Sequence, residues 1–401
     1  MATRRSHTKS RNGCRDCKRR KVKCDEAYPS CFNCTRHGIT CSISTTRASP
    51  GDIRPLRPCQ ADTQRPASGL DFLDVAAGHK QTIVAAPSIE VWGRGLELMH
   101  HYTLYTADSL AERLDIKHVW RVTFVEIGYG CNFVMHGILA MAALHKAYLL
   151  PSERDAYLDL AASHQNAGLE GYRAALPDMN DKNWENFFAF SSVVVLYVAS
   201  LPTRLGRGAV PNILELFTFV RGVRIVLDPY QGRLHKTKFR SILHGTWVID
   251  PDDVDYRNPQ MQYSPLPNDV FKALGDLATF FNDTLRGDAR DEYATAVAEL
   301  EKAVYLMAHS GASIEAGTLL VWPYVVSENI MADIQAQSPY AMVLLAYFAV
   351  PLCVLEKRYW FVEGWARRLL GLVDECLGEG GVLGEVVGWP RRKASELYGL
   401  I

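Results

Sequence analysis

The 401 residues hold no catalytic constellation. Gly-x-Ser-x-Gly, His-Glu-x-x-His and a Walker loop are all missing, which removes the common signatures of acyl transfer, zinc proteolysis and nucleotide hydrolysis. Gly378 to Gly388 is rich in glycine but lacks the Gly-Lys-Ser/Thr that cradles a phosphate, so it reads as a loop. His100 and His101 are neighbours about 100° apart on a helix, poor geometry for one metal. An enzyme is not expected. Alternating strand patterns are nearly absent, which argues against a sheet fold. The chain starts Met-Ala-Thr-Arg-Arg with no apolar h-region, so no secretory route into an oxidising compartment is expected. The most apolar stretch, Ala341 to Leu355, is interrupted by Pro351 and falls short of the roughly 20 residues a membrane span needs. It reads as a buried core helix. Formal net charge is zero.

Six cysteines are there instead, in the order Cys14-x2-Cys17-x6-Cys24-x6-Cys31-x2-Cys34-x6-Cys41. They form two successive half-sites, each Cys-x2-Cys-x6-Cys. Thiolates at this spacing point to zinc, which takes four sulfurs tetrahedrally. Six ligands exceed what one tetrahedral ion needs and fall short of what two separate ions need. Two zinc ions that share two sulfurs use all six. The symmetric bridges are Cys14 and Cys31. One ion then takes Cys14, Cys17, Cys24 and Cys31, and the other takes Cys14, Cys31, Cys34 and Cys41. A disulfide module lacks its compartment, and an iron–sulfur cluster fits the repeated half-site poorly.

The halves differ in charge. Between Cys17 and Cys24 stand Lys18, Arg19, Arg20, Lys21, Val22 and Lys23, with five positive charges in six residues. The matching stretch of the second half, Thr35 to Thr40, has one, Arg36. A dense cationic ridge pinned between metal ligands is the footprint of a nucleic-acid binder. Residues 1–47 carry 12 Lys/Arg against three acids, a charge of +9, and the rest of the chain carries −9. A basic head on an acidic body implies that only the head meets a polyanion. Thiolate metal storage would need neither the ridge nor a large body.

The domain reading is a basic arm at 1–13, the cysteine module at 14–41, a flexible linker at 42–88 and an all-α body at 89–401. Prolines 50, 55, 58, 66 and 87 mark the linker. No heptad run follows the module, so a coiled-coil dimer is not expected there, and a homodimer by another route stays open. Helical spacing of apolar residues runs from about Ile89, over Phe133 to Leu150, Ser152 to Leu176 (capped by Ser152), Trp184 to Leu201 and Ile213 to Leu227. Helices resume at about 266–285, 289–310, 318–336 and 339–377. Cys59, Cys131, Cys353 and Cys376 are scattered and read as buried reduced thiols.

Residues 6–42 resemble the fungal binuclear zinc-cluster (Zn2Cys6) DNA-binding domain. The resemblance implies two short helices, two zinc ions and a transcription factor of RNA polymerase II genes that works in the nucleus on double-stranded DNA. It also implies that the end of the first helix enters the major groove at a CGG-type triplet. Lys21 would then meet bases, Arg20 would lie beside it, and Lys18 and Lys23 would fall near phosphates. Pro29 and Asp25 stand where that family usually has them.

A second resemblance spans about 90–390, carried by Leu96–Thr103, Phe133–His145, Arg221-Gly222-Val223 and Trp360–Trp365. These look like the C-terminal domain of the sterol-uptake control regulators. That likeness implies an apolar ligand such as a sterol, with the factor held inactive in the cytoplasm while it is bound. The alternative is a regulator of a biosynthetic (secondary-metabolite) gene cluster with no sterol ligand.

Overall fold

The computed structural model describes residues 14–22, 24, 31, 33–34, 39, 41–42, 89–200, 213–243, 255–378 and 380–399. The arm at 1–13, linker residues 43–88, Lys23, Asp25, Pro29, Arg36 and Cys59 lie outside the described residues. Contacts divide the chain into two units, residues 1–83 and 84–401. No strand occurs among the described residues.

The first unit contains helix α1, Arg15–Arg19. It begins where the Cys14 sulfur accepts the Cys17 amide at 3.3 Å, a cap that satisfies one of the free donors there. Asn33 and Cys34 are also helical. The hydrophobic cluster of this unit consists of the six cysteines alone among the described residues.

The second unit is a stack of helices. Helix α2, Ile89–His101, runs on through a wide π-type turn at Tyr102–Thr106. A second such turn, Val119–Thr123, leads into α3, Phe124–Gly130. Then come α4 (Asn132–Leu149), α5 (Arg154–Ala175), α6 (Trp184–Ala199) and α7 (Ile213–Leu227). After them follow α8 (Val270–Thr284), α9 (Gly287–Ser310), α10 (Ala316–Val325) and α11 (Glu328–Gln335). The last are α12 (Pro339–Glu356), α13 (Trp365–Leu377) and α14 (Gly388–Tyr398). Helix α4 packs on α5 and α6, and α12 packs on α13 and α14.

Two glycines set how closely the first of these groups packs. A Cβ at Gly168 of α5 would stand 2.7 Å from the Phe190 ring of α6, and one at Gly137 of α4 would stand 3.0 Å from Val193. Without side chains there, three helices share one narrow seam. Helix α12 is long and apolar enough to cross a membrane, but every residue from Ala341 to Leu355 is buried within the body. Pro351 sits inside this helix. An internal proline costs about 3 kcal/mol, and enclosure of the surrounding apolar side chains offsets it.

The structure corrects several sequence boundaries. Ser152 caps no α-helix. Pro151 fixes the backbone of a 3-10 turn at Pro151–Glu153, and α5 starts after it without a side-chain cap. The stretch 318–336 is two helices, because the Ser327 hydroxyl accepts the Ile330 amide at 3.2 Å and starts α11 afresh. The stretch 339–377 is broken between Glu356 and Trp365, where Gly364 takes φ 93°, a conformation that favours glycine. Cys131 and Cys353 are buried, but Cys376 is exposed, because α13 turns Leu369, Leu370 and Val373 inward instead.

Candidate metal centre and nucleic-acid interface

The described residues of the two half-sites make matching contacts. The Cys14 amide points to the Cys24 sulfur at 3.4 Å, and seventeen residues on the Cys31 amide points to the Cys41 sulfur at 3.5 Å. Six sulfurs converge as two overlapping quartets. One holds Cys14, Cys17, Cys24 and Cys31, the other Cys14, Cys31, Cys34 and Cys41, with ligand atoms in each quartet within 4.8 Å of one another. Cys14 and Cys31 belong to both, with their sulfurs 3.7 Å apart. Cys14 to Cys34 and Cys17 to Cys31 are each 3.6 Å. A tetrahedral zinc with Zn–S bonds near 2.3 Å sets its sulfurs about 3.8 Å apart. The donor set fits two such ions without rearrangement.

As bare thiols this cluster is electrostatically awkward. Burial, then hydrogen bonds with neighbouring sulfurs, pushes Cys17 and Cys34 well above the usual thiol range. Burial also raises Cys31. Cys14 resists burial and goes down to about 6, because it accepts the Cys17 amide and neighbouring thiols. Two dications, one in each quartet, would remove the conflict by holding all six as thiolates.

The cationic ridge lies on and just beyond α1. Lys18, Arg19 and Lys21 are exposed and Arg20 is half-buried. Asp16 pairs with Arg19 at 2.8 Å and so draws part of its charge away from solvent. Helix α1 ends in a double closure. The Lys21 amide donates to the Lys18 carbonyl at 3.2 Å, and the Val22 amide donates to the Cys17 carbonyl at 3.1 Å. This is a Schellman motif with Lys21 at its left-handed position, φ 54°. Sequence spacing carried no sign of that backbone state.

The body holds a cavity of about 450 Å³, walled mainly by apolar side chains of α6, α7 and α10, among them Phe188, Val220, Leu227 and Leu320, with Trp120 and Phe361. Its volume lies within the range of small-molecule sites. One buried carboxylate, Glu315, opens onto it. Of the segments carrying the second resemblance, Val223 and Phe361 line the cavity. His136 pairs with His164 at 2.9 Å, away from His100 and His101 in sequence, and His101 stacks at an angle on His145.

Residues 12–49 match the fungal Zn(2)-Cys(6) binuclear cluster domain. A Zn(2)-C6 fungal-type transcription factor of Gibberella zeae is 24% identical over 422 residues, covering 93% of this chain and 83% of that protein. The Zn(2)-C6 fungal-type transcription factor afumD of Aspergillus fumigatus is 26% identical over 349 residues, 84% of each. Sterol uptake control protein 2 of Saccharomyces cerevisiae is 46% identical over 48 residues, 12% of this chain and 5% of that protein. That stretch lies in the N-terminal region.

Proposed function

We propose that this chain, which carries a fungal Zn(2)-Cys(6) binuclear cluster domain with two zinc ions, is a sequence-specific transcription factor acting in the nucleus. The six cysteines hold the zinc, with Cys14 and Cys31 bridging. Lys21 reads bases of a CGG-type site, Arg20 supports it, and Lys18, Arg19 and Lys23 hold phosphates. The observation that carries this reading is the pair of sulfur quartets with a cationic ridge on the helix they pin. Zinc supplies folding free energy that six buried cysteines could not. Selection of duplexes from a random pool by the zinc-loaded protein tests it. A preferred CGG-type site, with affinity falling steeply as salt rises, is the expected result. Binding that is indifferent to sequence would overturn it.

The body regulates the head, and its effector is an apolar molecule. The cavity beside Glu315 supports this second reading. A ligand that binds only the folded body raises its melting temperature with concentration. Ergosterol-like sterols and other lipids should be titrated against residues 84–401, the second unit by internal contacts, with solution mass measured alongside. A shift with one of them supports the reading. A dimer with no shift assigns the apolar surface to a subunit seam. A monomer with no shift favours a regulator of a biosynthetic gene cluster with no sterol ligand.

A further inference from the structure

We infer that Lys21 is held in a strained left-handed backbone state at the end of α1, and that the module tolerates this strain in order to aim the lysine side chain. Three observations carry the inference. Lys21 has φ 54°, one of two non-glycine residues with positive φ among the described residues. Both Schellman hydrogen bonds are made, at 3.2 and 3.1 Å, so the conformation is locked by the closure of the helix. The repeat then supplies an internal comparison. Lys21 stands four residues after Cys17, and four residues after Cys34 the sequence places Gly38. The second half makes the same six-residue closure, the Ile39 amide donating to the Cys34 carbonyl at 3.0 Å. So the same register of the sequence repeat, closed by the same hydrogen bond, holds glycine in the half without a cationic ridge and lysine in the half with one. Glycine is the residue that this motif favours, since a Cβ in the left-handed region crowds the backbone. Strain retained at one copy of a repeated unit marks the copy whose side chain is in use. The physical benefit is direction. A lysine whose backbone is locked at the last turn leaves the helix end at a fixed angle, and less of its freedom remains to be lost on binding.

The inference rests on the DNA-binding reading, and its test separates the two. Full-length protein loaded with zinc is titrated with a chelator, comparing wild type, Lys21→Gly and Lys21→Ala. The same three proteins are then measured against the duplex that wild type selects and against an unrelated duplex. Left-handed strain corresponds to about fivefold to thirtyfold in a folding equilibrium, and glycine's extra freedom in the unfolded chain offsets part of it. Lys21→Gly should therefore resist chelation roughly twofold to tenfold better than Lys21→Ala. Both should lose about tenfold or more on the selected duplex and keep little preference over the unrelated one. Equal chelation resistance of the two variants would show that no strain exists. A glycine variant with wild-type sequence preference would show that the side chain is not what the lock aims. If wild type selects no duplex, the DNA-binding reading fails and the aiming role with it, while the chelation comparison still decides the strain.

Discussion

His145 shows how burial acts on a single group. It is 6% exposed, stacked on Trp360, hydrogen-bonded to Thr106 at 3.1 Å and faced by the ring of His101. Burial, then the nearby His101, brings it down to about 4. His164, against His136, also falls to about 4 through burial first. Below pH about 6.5 the unfolded chain binds protons that these rings do not, so stability rises with pH between about 4 and 6.5 and is flat above. His145 alone contributes up to about 3 kcal/mol of that slope. Denaturant midpoints of the body between pH 4 and 7 should fall on acidification, and His145→Phe should flatten part of the fall. Glu315 is a different case. One oxygen accepts the Glu112 and Arg113 amides at 3.0 and 2.7 Å, and the other accepts the Tyr359 hydroxyl at 3.3 Å. Glu315→Ala strands two backbone donors in an apolar wall and should cost about 2–4 kcal/mol in urea unfolding.

At the scale of helices, the seam among α4, α5 and α6 gives a matched pair of substitutions. Gly168→Ala drives a methyl into Phe190, with the Phe133 carbonyl 3.3 Å away, and should destabilise by about 1–3 kcal/mol. Gly222→Ala, on α7 with nothing within 4 Å of the new Cβ, should stabilise by about 0.5–1 kcal/mol. Thermal melts of the two variants should move in opposite directions. These elements also show what a sequence makes legible. The spans of α4, α6 and α7 could be read because apolar spacing reports which face is enclosed. The breaks at Ser327 and Gly364 could not, because apolar residues continue on both sides and spacing says nothing about the turn between. The six cysteines were legible as a unit because their geometry depends on neighbours within a few residues. The lining of the cavity was not, since Trp120, Phe188, Leu320 and Phe361 come from distant parts of the chain and meet only through the fold.

The molecule as a whole consists of two units stabilised by different means. The first has sulfur ligands where a core would be, and the second has one continuous apolar core. Chelation should therefore unfold the first and leave the far-ultraviolet helical signal of the second almost unchanged, a result circular dichroism with and without chelator would give directly. Loss of most helical signal would mean that the body depends on the metal. The enclosure of α12 has a consequence in time. A ribosome adding about 5–20 residues per second needs roughly 15–60 s to pass from Cys41 to the end of that helix. Through that interval the head is complete and can take up zinc, while Phe217 of α7 and Trp322 of α10 have emerged without the α12 ring, Phe348, that they pack against. The nascent chain therefore exposes apolar surface through its middle for that time, and a transcript cut short before α12 is expected to yield a metal-loaded head without a folded body.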